Sequence, residues 1–174
     1  MSDIPKIDCV KFDRLKTIPW KSGNFAKQNW GNNFHSISSY VGRIKPSFAH
    51  FLIEQFSSKG DIILDPFCGI GTVPLESALL ERKAIGIDLN PYAVCISKSK
   101  SDVRGIENEL EYITSINLSE SKKVSLNNVS KWVKEYYHTE TLKEILYLTK
   151  KFKTDGRDFL LGCLLGISHG HRPQ

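Results

Sequence analysis

The sequence has 174 residues, of which 40% are hydrophobic and 25% are charged, which is the size and composition of a single globular domain. No apolar run approaches the roughly 18 residues of a membrane span, and residues 1–12 lack the basic and apolar segments of a signal peptide, so we expect a cytosolic protein. The net charge of +5 suits a polyanionic partner without establishing one.

The first predicted elements are an arm, a helix and a strand. Residues 1–35 are polar and aromatic without a clean period, and we predict an irregular arm there. The segment 46–56 begins with proline and repeats its apolar residues at helical spacing, which predicts a helix. The short apolar run at 61–65, bounded by turn-forming residues, predicts a buried strand.

A second helix-strand-helix unit follows directly. Residues 72–82 predict a helix, residues 84–88 a second buried strand, and Asn90-Pro91 the start of another helix. The predicted buried faces are Leu75, Ala78 and Leu79 in the first helix and Val94, Cys95 and Lys98 in the second. This order is typical of a parallel sheet with crossover helices.

The last third of the chain is predicted to be helical. Residues 101–125 are charged and weakly patterned, which predicts a loop or linker, and three helices follow at 129–137, 139–151 and 157–168, the second capped by Thr139. The predicted fold class is therefore α/β, with a partial parallel sheet, flanking helices and a helical C-terminal segment. The predicted divisions are an arm at 1–35, a Rossmann-like region at 36–125 and a helical segment at 126–174.

The cysteines and histidines give little indication of a metal site. The cysteines are Cys9, Cys68, Cys95 and Cys163, and they form no C-x-x-C pair. We therefore expect free thiols in a reducing compartment, without zinc or a disulfide framework. His169 and His171 lie two residues apart after a helix, which is poor metal geometry, and the sequence gives His35, His50 and His138 no evident partners.

The central motif is DPFCGIGT at residues 65–72, between a predicted strand and a predicted helix. Gly69 and Gly71 allow a sharp turn and a close backbone approach to a ligand, at a place where backbone N–H groups and a helix N-terminus are presented. Asp88 ends the second strand, where a carboxylate can accept hydrogen bonds from both ribose hydroxyls of a nucleoside, and Leu89 can pack on an adenine. The missing third glycine argues against a nicotinamide dinucleotide.

Together with Lys45-Pro46 and the run GIDLNP at 86–91, this motif resembles the cofactor region of amino-methylating DNA methyltransferases. These enzymes modify cytosine N4 or adenine N6 with S-adenosylmethionine. The resemblance spans about residues 36–100. It implies a Rossmann-like S-adenosylmethionine-dependent methyltransferase fold, DNA as the partner, and a role in restriction-modification.

The resemblance also implies which residues bind the cofactor. The loop at 65–71 would lie against the methionine part, the stretch from Tyr40 to Pro46 would close over its carboxylate and amine, and Asp88 would hold the ribose. The full implied set is Tyr40, Arg43, Lys45, Pro46, Asp65, Pro66, Phe67, Cys68, Gly69, Gly71, Thr72, Asp88, Leu89 and Asn90. Plain surface charge explains Arg43 and Lys45 equally well, and Asn90-Pro91 also fits a simple helix start.

The chain departs from the family at the catalytic motif. Family members use a polar or acidic residue followed by Pro-Pro and an aromatic residue, which lines the pocket of the flipped-out base, and this sequence contains no Pro-Pro. We therefore assign no catalytic residue. We expect either a piece of a longer enzyme or one subunit of a split methyltransferase, whose missing half covers the sheet edge and the apolar last helix. The isolated chain should then dimerise, bind a partner or be poorly soluble, which light scattering tests.

Two other functions remain open at this stage. RNA guanine-N2 methyltransferases have a similar glycine loop, although the run at 87–91 and the lack of an N-terminal RNA-binding module favour DNA. A non-catalytic subunit could also keep the cofactor fold for assembly only. Cofactor titration separates the enzyme interpretations from this scaffold.

Overall fold

The computed structural model describes residues 9–27, 30–101 and 105–168. Within these ranges the helices are α1 (Cys9–Lys16), α2 (Pro46–Phe56), α3 (Thr72–Leu79), α4 (Pro91–Ser99), α5 (Ile106–Thr114), α6 (Lys131–Tyr136), α7 (Thr139–Thr154) and α8 (Asp158–Ile167). The strands are β1 (Ile62–Asp65) and β2 (Lys83–Gly86), and short 3-10 helices cover Gly23–Ala26, Asn33–Ser36 and Leu118–Lys123. The predicted α/β class with a partial parallel sheet is confirmed.

The two strands pair in parallel, with Ile62 opposite Lys83 and Asp65 opposite Gly86. Helices α2 and α3 cover one face of this sheet, where Ile63 lies in an apolar cleft with Ile53 and Val73. A parallel pair needs a crossover connection, and α3 supplies it. The carboxyl ends of both strands therefore meet at one edge.

The opposite face of the sheet is open to solvent. It carries Ile62, Leu64, Ile85 and Ile87, whose exposed fractions are 64%, 62%, 53% and 53%, and we call these four residues the open sheet face. The prediction of two buried strands is thus wrong for this face. Strands of parallel sheets are apolar because helices normally cover both faces, and no described element of this chain covers the second one.

The last helix is packed inside the molecule rather than left uncovered, contrary to expectation. Leu160, Leu161 and Leu164 of α8 are at most 8% exposed and form a core with Phe152 of α7. The other side of α8 crosses α4 so closely that a Cβ at Gly162 would lie 2.2 Å from the Cβ of Ser99. The C-terminal helices therefore support the strand-helix unit directly.

Several local predictions need correction. Helix α1 lies within the predicted irregular arm, and α5 with the following 3-10 helix replaces the predicted linker. His138, not Thr139, occupies the N-cap of α7, and no side chain caps that helix. The buried residues of α3 are Thr72, Leu75, Glu76 and Ser77, whereas Leu79 is 48% exposed. The buried residues of α4 are Ala93, Ile96 and Ser99, in place of the predicted Val94, Cys95 and Lys98.

Lys100 continues the buried face of α4 and brings a cation into the interior. The residue is 6% exposed, and its Nζ has no hydrogen-bond partner among the described residues. Burial, together with the smaller effect of the nearby charge of Arg43, lowers the pKa of Lys100 to about 8. A buried ammonium without a partner destabilises the fold, because the charged form loses its hydration.

The Lys100→Met variant should therefore be more stable than the native chain at pH 7, by about 2–3 kcal/mol in the free energy of unfolding. The pKa of Lys100 is about 8 in the folded chain and about 10.5 in the unfolded chain. Between these two pH values the unfolded chain therefore binds more protons than the folded chain. The native stability should accordingly rise between about pH 8 and 10 relative to the variant. Urea unfolding of both proteins across this range measures the difference. The contributions of other titrating groups, including the cysteines, cancel because both proteins contain them. Parallel pH profiles would contradict the burial of a charged Lys100.

Candidate functional site

The site candidates gather where the two strands end. The amide of Ile87 donates to the carbonyl of Asp65 over 2.9 Å, and the amide of Cys68 donates to the carbonyl of Ile87 over 2.9 Å. These bonds fold the loop after β1 against the segment after β2. Residues 19 to 22 positions apart in the sequence thus form one continuous edge, because parallel pairing aligns the two strand ends.

The loop after β1 depends on its two glycines. Gly69 has φ of +49° and Gly71 has φ of +76°, a backbone region that other residues adopt at a cost. The amide of Gly71 closes the turn on the carbonyl of Cys68 over 2.8 Å. A Cβ at Gly71 would also lie 2.3 Å from Ser97 Oγ. Gly71 is therefore required both by the turn and by the close approach of α4.

Asp88 fastens the two segments together. Its Oδ2 accepts a hydrogen bond from the amide of Gly69 over 2.8 Å, and its Oδ1 accepts one from the amide of Asn90 over 2.8 Å. The Asn90 side chain then accepts from the amide of Tyr92 over 3.0 Å and begins α4. A carboxylate has about four acceptor positions, so Asp88 can hold the loop and still accept from a ligand. The sequence analysis placed Asp88 in the site but missed this structural role.

Tyr40 lies over the loop from the N-terminal side. A Cβ at Gly69 would be 3.6 Å from the Tyr40 ring, and the Asn90 side-chain amide donates to the Tyr40 hydroxyl over 3.4 Å. The Tyr40 ring is nearly parallel to that of Tyr92, with 6.5 Å between centroids. Four predicted site residues, Tyr40, Gly69, Asp88 and Asn90, are thus brought together.

Other predicted site residues are directed elsewhere. Arg43 donates to the carbonyl of His35, and Lys45 donates to the carbonyl of Trp20 over 3.3 Å, so both cations tie the chain before α2 in place. Pro46, Cys68 and Thr72 are buried in the protein interior. The sequence could not reveal these placements, because a loop has no regular period that tells which side chains face inward.

Large apolar side chains that neighbour Asp65, Asp88 and Tyr40 in the sequence are exposed to solvent. Phe67 is 87% exposed, Leu89 is 100% exposed and Val41 is 99% exposed, while Asp65 accepts from the amide of Phe67 over 3.1 Å. Phe67 and Leu89 were predicted as site residues. Val41 was not, because it belongs to no periodic pattern or motif. Exposed apolar groups beside hydrogen-bond acceptors suit a ligand with both apolar faces and hydroxyl groups.

A buried cluster that the sequence analysis missed holds the N-terminal arm against α3. Glu76 is 1% exposed, and its two oxygens contact His35 Nε2 at 2.6 Å and His50 Nδ1 at 2.8 Å. The conclusion that His35 and His50 have no evident partners is therefore wrong. The partners lie 41 and 26 positions away in the sequence, beyond the reach of a local pattern. The cluster fixes the segment that carries Tyr40.

Burial raises the pKa values of the thiols of Cys68, Cys95 and Cys163. All three are free, and a raised pKa makes a thiol a poor nucleophile. No group of three or more potential metal ligands occurs among the described residues. None of the helices in the described part of the chain combines the length and the apolarity that crossing a bilayer requires.

The part of the sequence that resembles a known family includes this edge of the sheet. Residues 18–99 match the sequence model of a family described as DNA methylase. The matched residues include the Tyr40 segment, the glycine loop, Asp88 and α4.

Individual relatives agree with this family. The chain is 31% identical over 93 residues to the type II methyltransferase M.MjaII of Methanocaldococcus jannaschii, covering 53% of this chain and 17% of that protein. It is 38% identical over 74 residues to the type II methyltransferase M.BsoBI of Geobacillus stearothermophilus, covering 42% and 14%. It is 36% identical over 52 residues to a tRNA (guanine(10)-N2)-dimethyltransferase of Methanothermobacter thermautotrophicus, covering 29% and 16%.

The chain therefore spans less than a fifth of the length of these relatives. No solved structure matches the chain significantly.

Proposed function

We propose that the chain forms the S-adenosylmethionine-binding part of a DNA methyltransferase that modifies cytosine N4 or adenine N6 in a restriction-modification system. The observation that carries this proposal is the hydrogen bond between Gly69 and Asp88 at the shared strand edge. It brings a glycine turn and a carboxylate to one place, flanked by exposed Phe67 and Leu89.

The chemistry of these residues fits the cofactor. An adenosine has an apolar ring face for Leu89, and its ribose hydroxyls can donate to the remaining acceptor positions of Asp88. Gly69 and Gly71 leave the loop without side chains that would obstruct the methionine part. When bound, S-adenosylmethionine supplies a methyl group activated by its positive sulfur. The residues of this chain bind and orient it, and alignment is the contribution that such a site makes to methyl transfer.

A second half is part of this proposal. The open sheet face leaves four apolar side chains in water, and contiguous apolar patches of this kind mark interaction surfaces. The relatives are several times longer than the matched region. We infer that a further stretch of chain or a second polypeptide covers this face and brings the catalytic Pro-Pro motif that the sequence lacks.

The Asp88→Ala variant should bind S-adenosylhomocysteine more weakly by about 1–3 kcal/mol in titration calorimetry, the value of hydrogen bonds to a charged group. Asp88 also holds Gly69, so its loss could weaken binding by disturbing the loop. A second ligand that lacks the two ribose hydroxyls separates this structural role from direct binding of the ribose. The native chain should bind this dideoxy analogue more weakly than S-adenosylhomocysteine, whereas the variant should bind both alike. If the native chain binds neither ligand, the scaffold function is favoured instead.

RNA is the second candidate substrate, because a tRNA (guanine(10)-N2)-dimethyltransferase is among the similar proteins. The family whose model matches residues 18–99 is, however, described as DNA methylase. We therefore favour DNA. Once the second half is known, transfer of labelled methyl groups to DNA or to tRNA distinguishes the two substrates.

A further inference from the structure

A groove with a basic rim lies far along the chain from the glycine loop, between the 3-10 helix Leu118–Lys123 and α7. It encloses about 650 Å³, within the size range of ligand sites. Its rim carries Lys123, Lys150 and Lys151, and its floor includes Val124, Leu146 and Tyr147. We call it the lysine groove. Nothing in the proposed cofactor site uses these residues.

The charges of the lysine groove are only partly neutralised. Lys123 pairs with Glu120 at 2.7 Å and Lys151 pairs with Asp155 at 3.2 Å. Lys150 is exposed and makes no ion pair with any described residue. The lining therefore contains three lysines and one carboxylate, Asp155. Exposed pairs such as Lys123–Glu120 contribute little, so a phosphate can replace the glutamate as partner.

We propose that the lysine groove binds the phosphodiester backbone of nucleic acid. A basic rim over an aromatic and apolar floor suits a nucleic-acid strand, whose phosphates meet the lysines while a sugar or base packs on Tyr147. The match of residues 18–99 to the DNA methylase family model favours this partner over an acidic peptide. The choice of DNA as the probe rests on the proposed function, but the groove itself does not involve the cofactor.

The test compares two double variants of the full chain that remove the same charge. Lys123→Ala with Lys150→Ala alters the groove, and Lys131→Ala with Lys134→Ala alters α6. The control is matched, because Lys131 also pairs with a glutamate, Glu135, at 3.7 Å, while Lys134 has no described ion pair. Fluorescence anisotropy with a labelled DNA duplex and with a single strand, between about 50 and 200 mM salt, gives the affinity and its salt dependence.

The groove variant should weaken duplex binding about 10-fold at low salt and reduce the salt slope by about 1.8, or by about 1.4 for a single strand. The control variant should leave both quantities close to native. Equal losses in the two variants, no DNA binding by the native chain, or tighter binding of a polyglutamate peptide through the same lysines would each overturn the proposal. Calorimetry with S-adenosylhomocysteine tests the cofactor site separately from the lysine groove. DNA binding without cofactor binding would contradict the proposed cofactor site and leave the groove proposal standing.

Discussion

Replacing Glu76 with leucine should lower the free energy of unfolding by about 3–5 kcal/mol, the cost of removing one member of a buried charged cluster. Both His35 and His50 contact this carboxylate, and His35 is fully buried. Leucine fills a similar volume but accepts no hydrogen bond, so two ring N–H groups would lose their acceptor in the interior. Urea unfolding followed by circular dichroism measures the change.

The Glu76→Gln variant should lie between the leucine variant and the native chain, because an amide oxygen still accepts one of the two hydrogen bonds. Glu140→Leu is a suitable control, since Glu140 is 64% exposed and, among the described residues, pairs only with Lys143. That substitution should change stability by less than about 1 kcal/mol. Near-native stability of both Glu76 variants would show that the cluster does not hold the arm.

The Gly162→Ala variant should lose about 2–3 kcal/mol through overpacking. The added Cβ would lie 2.2 Å from both Cβ and Oγ of Ser99 but 3.7 Å from its Cα. Ser99 is fully buried, and its hydroxyl donates to the carbonyl of Ile96 over 2.7 Å, so it cannot turn away freely. The clash therefore forces α4 and α8 apart.

The same geometry supplies the control. Because the clash involves only the Ser99 side chain, Ser99→Gly should rescue part of the stability lost in Gly162→Ala, despite the cost of about 1 kcal/mol for glycine within a helix. A double-mutant cycle of unfolding free energies measures this coupling. Additive losses in the double variant would mean that α8 packs on α4 less closely than the structure indicates.

Elements that depend on local pattern were predictable from the sequence. The bounds of α2 match the predicted 46–56, and both strands and the glycine loop lie where the pattern placed them. Helix α5 was missed although Ile106, Leu110 and Ile113 recur at helical spacing, because charged residues between them obscured the pattern. All three are more than 40% exposed, so this apolar stripe does not mark the core.

Features set by distant contacts were not predictable. Glu76 is buried with two histidines from other segments. A single glutamate in a helical pattern predicts a surface residue, so nothing in the sequence indicated this burial. Asp88 was selected for a ligand, while its bond to Gly69 depends on how the loop folds back. The prediction that both strands are buried was wrong for a different reason. An apolar run shows that a strand favours burial, but it does not show whether this chain contains the element that would bury it.

The open sheet face also constrains how a cell could make this protein. Ile62, Leu64, Ile85 and Ile87 present an apolar surface to any similar surface nearby, and such surfaces drive association during synthesis. If the second half is a separate polypeptide, the two should accumulate in equal amounts, because surplus copies of this chain would aggregate or be degraded. Expression together with the other half should then raise the yield of this chain.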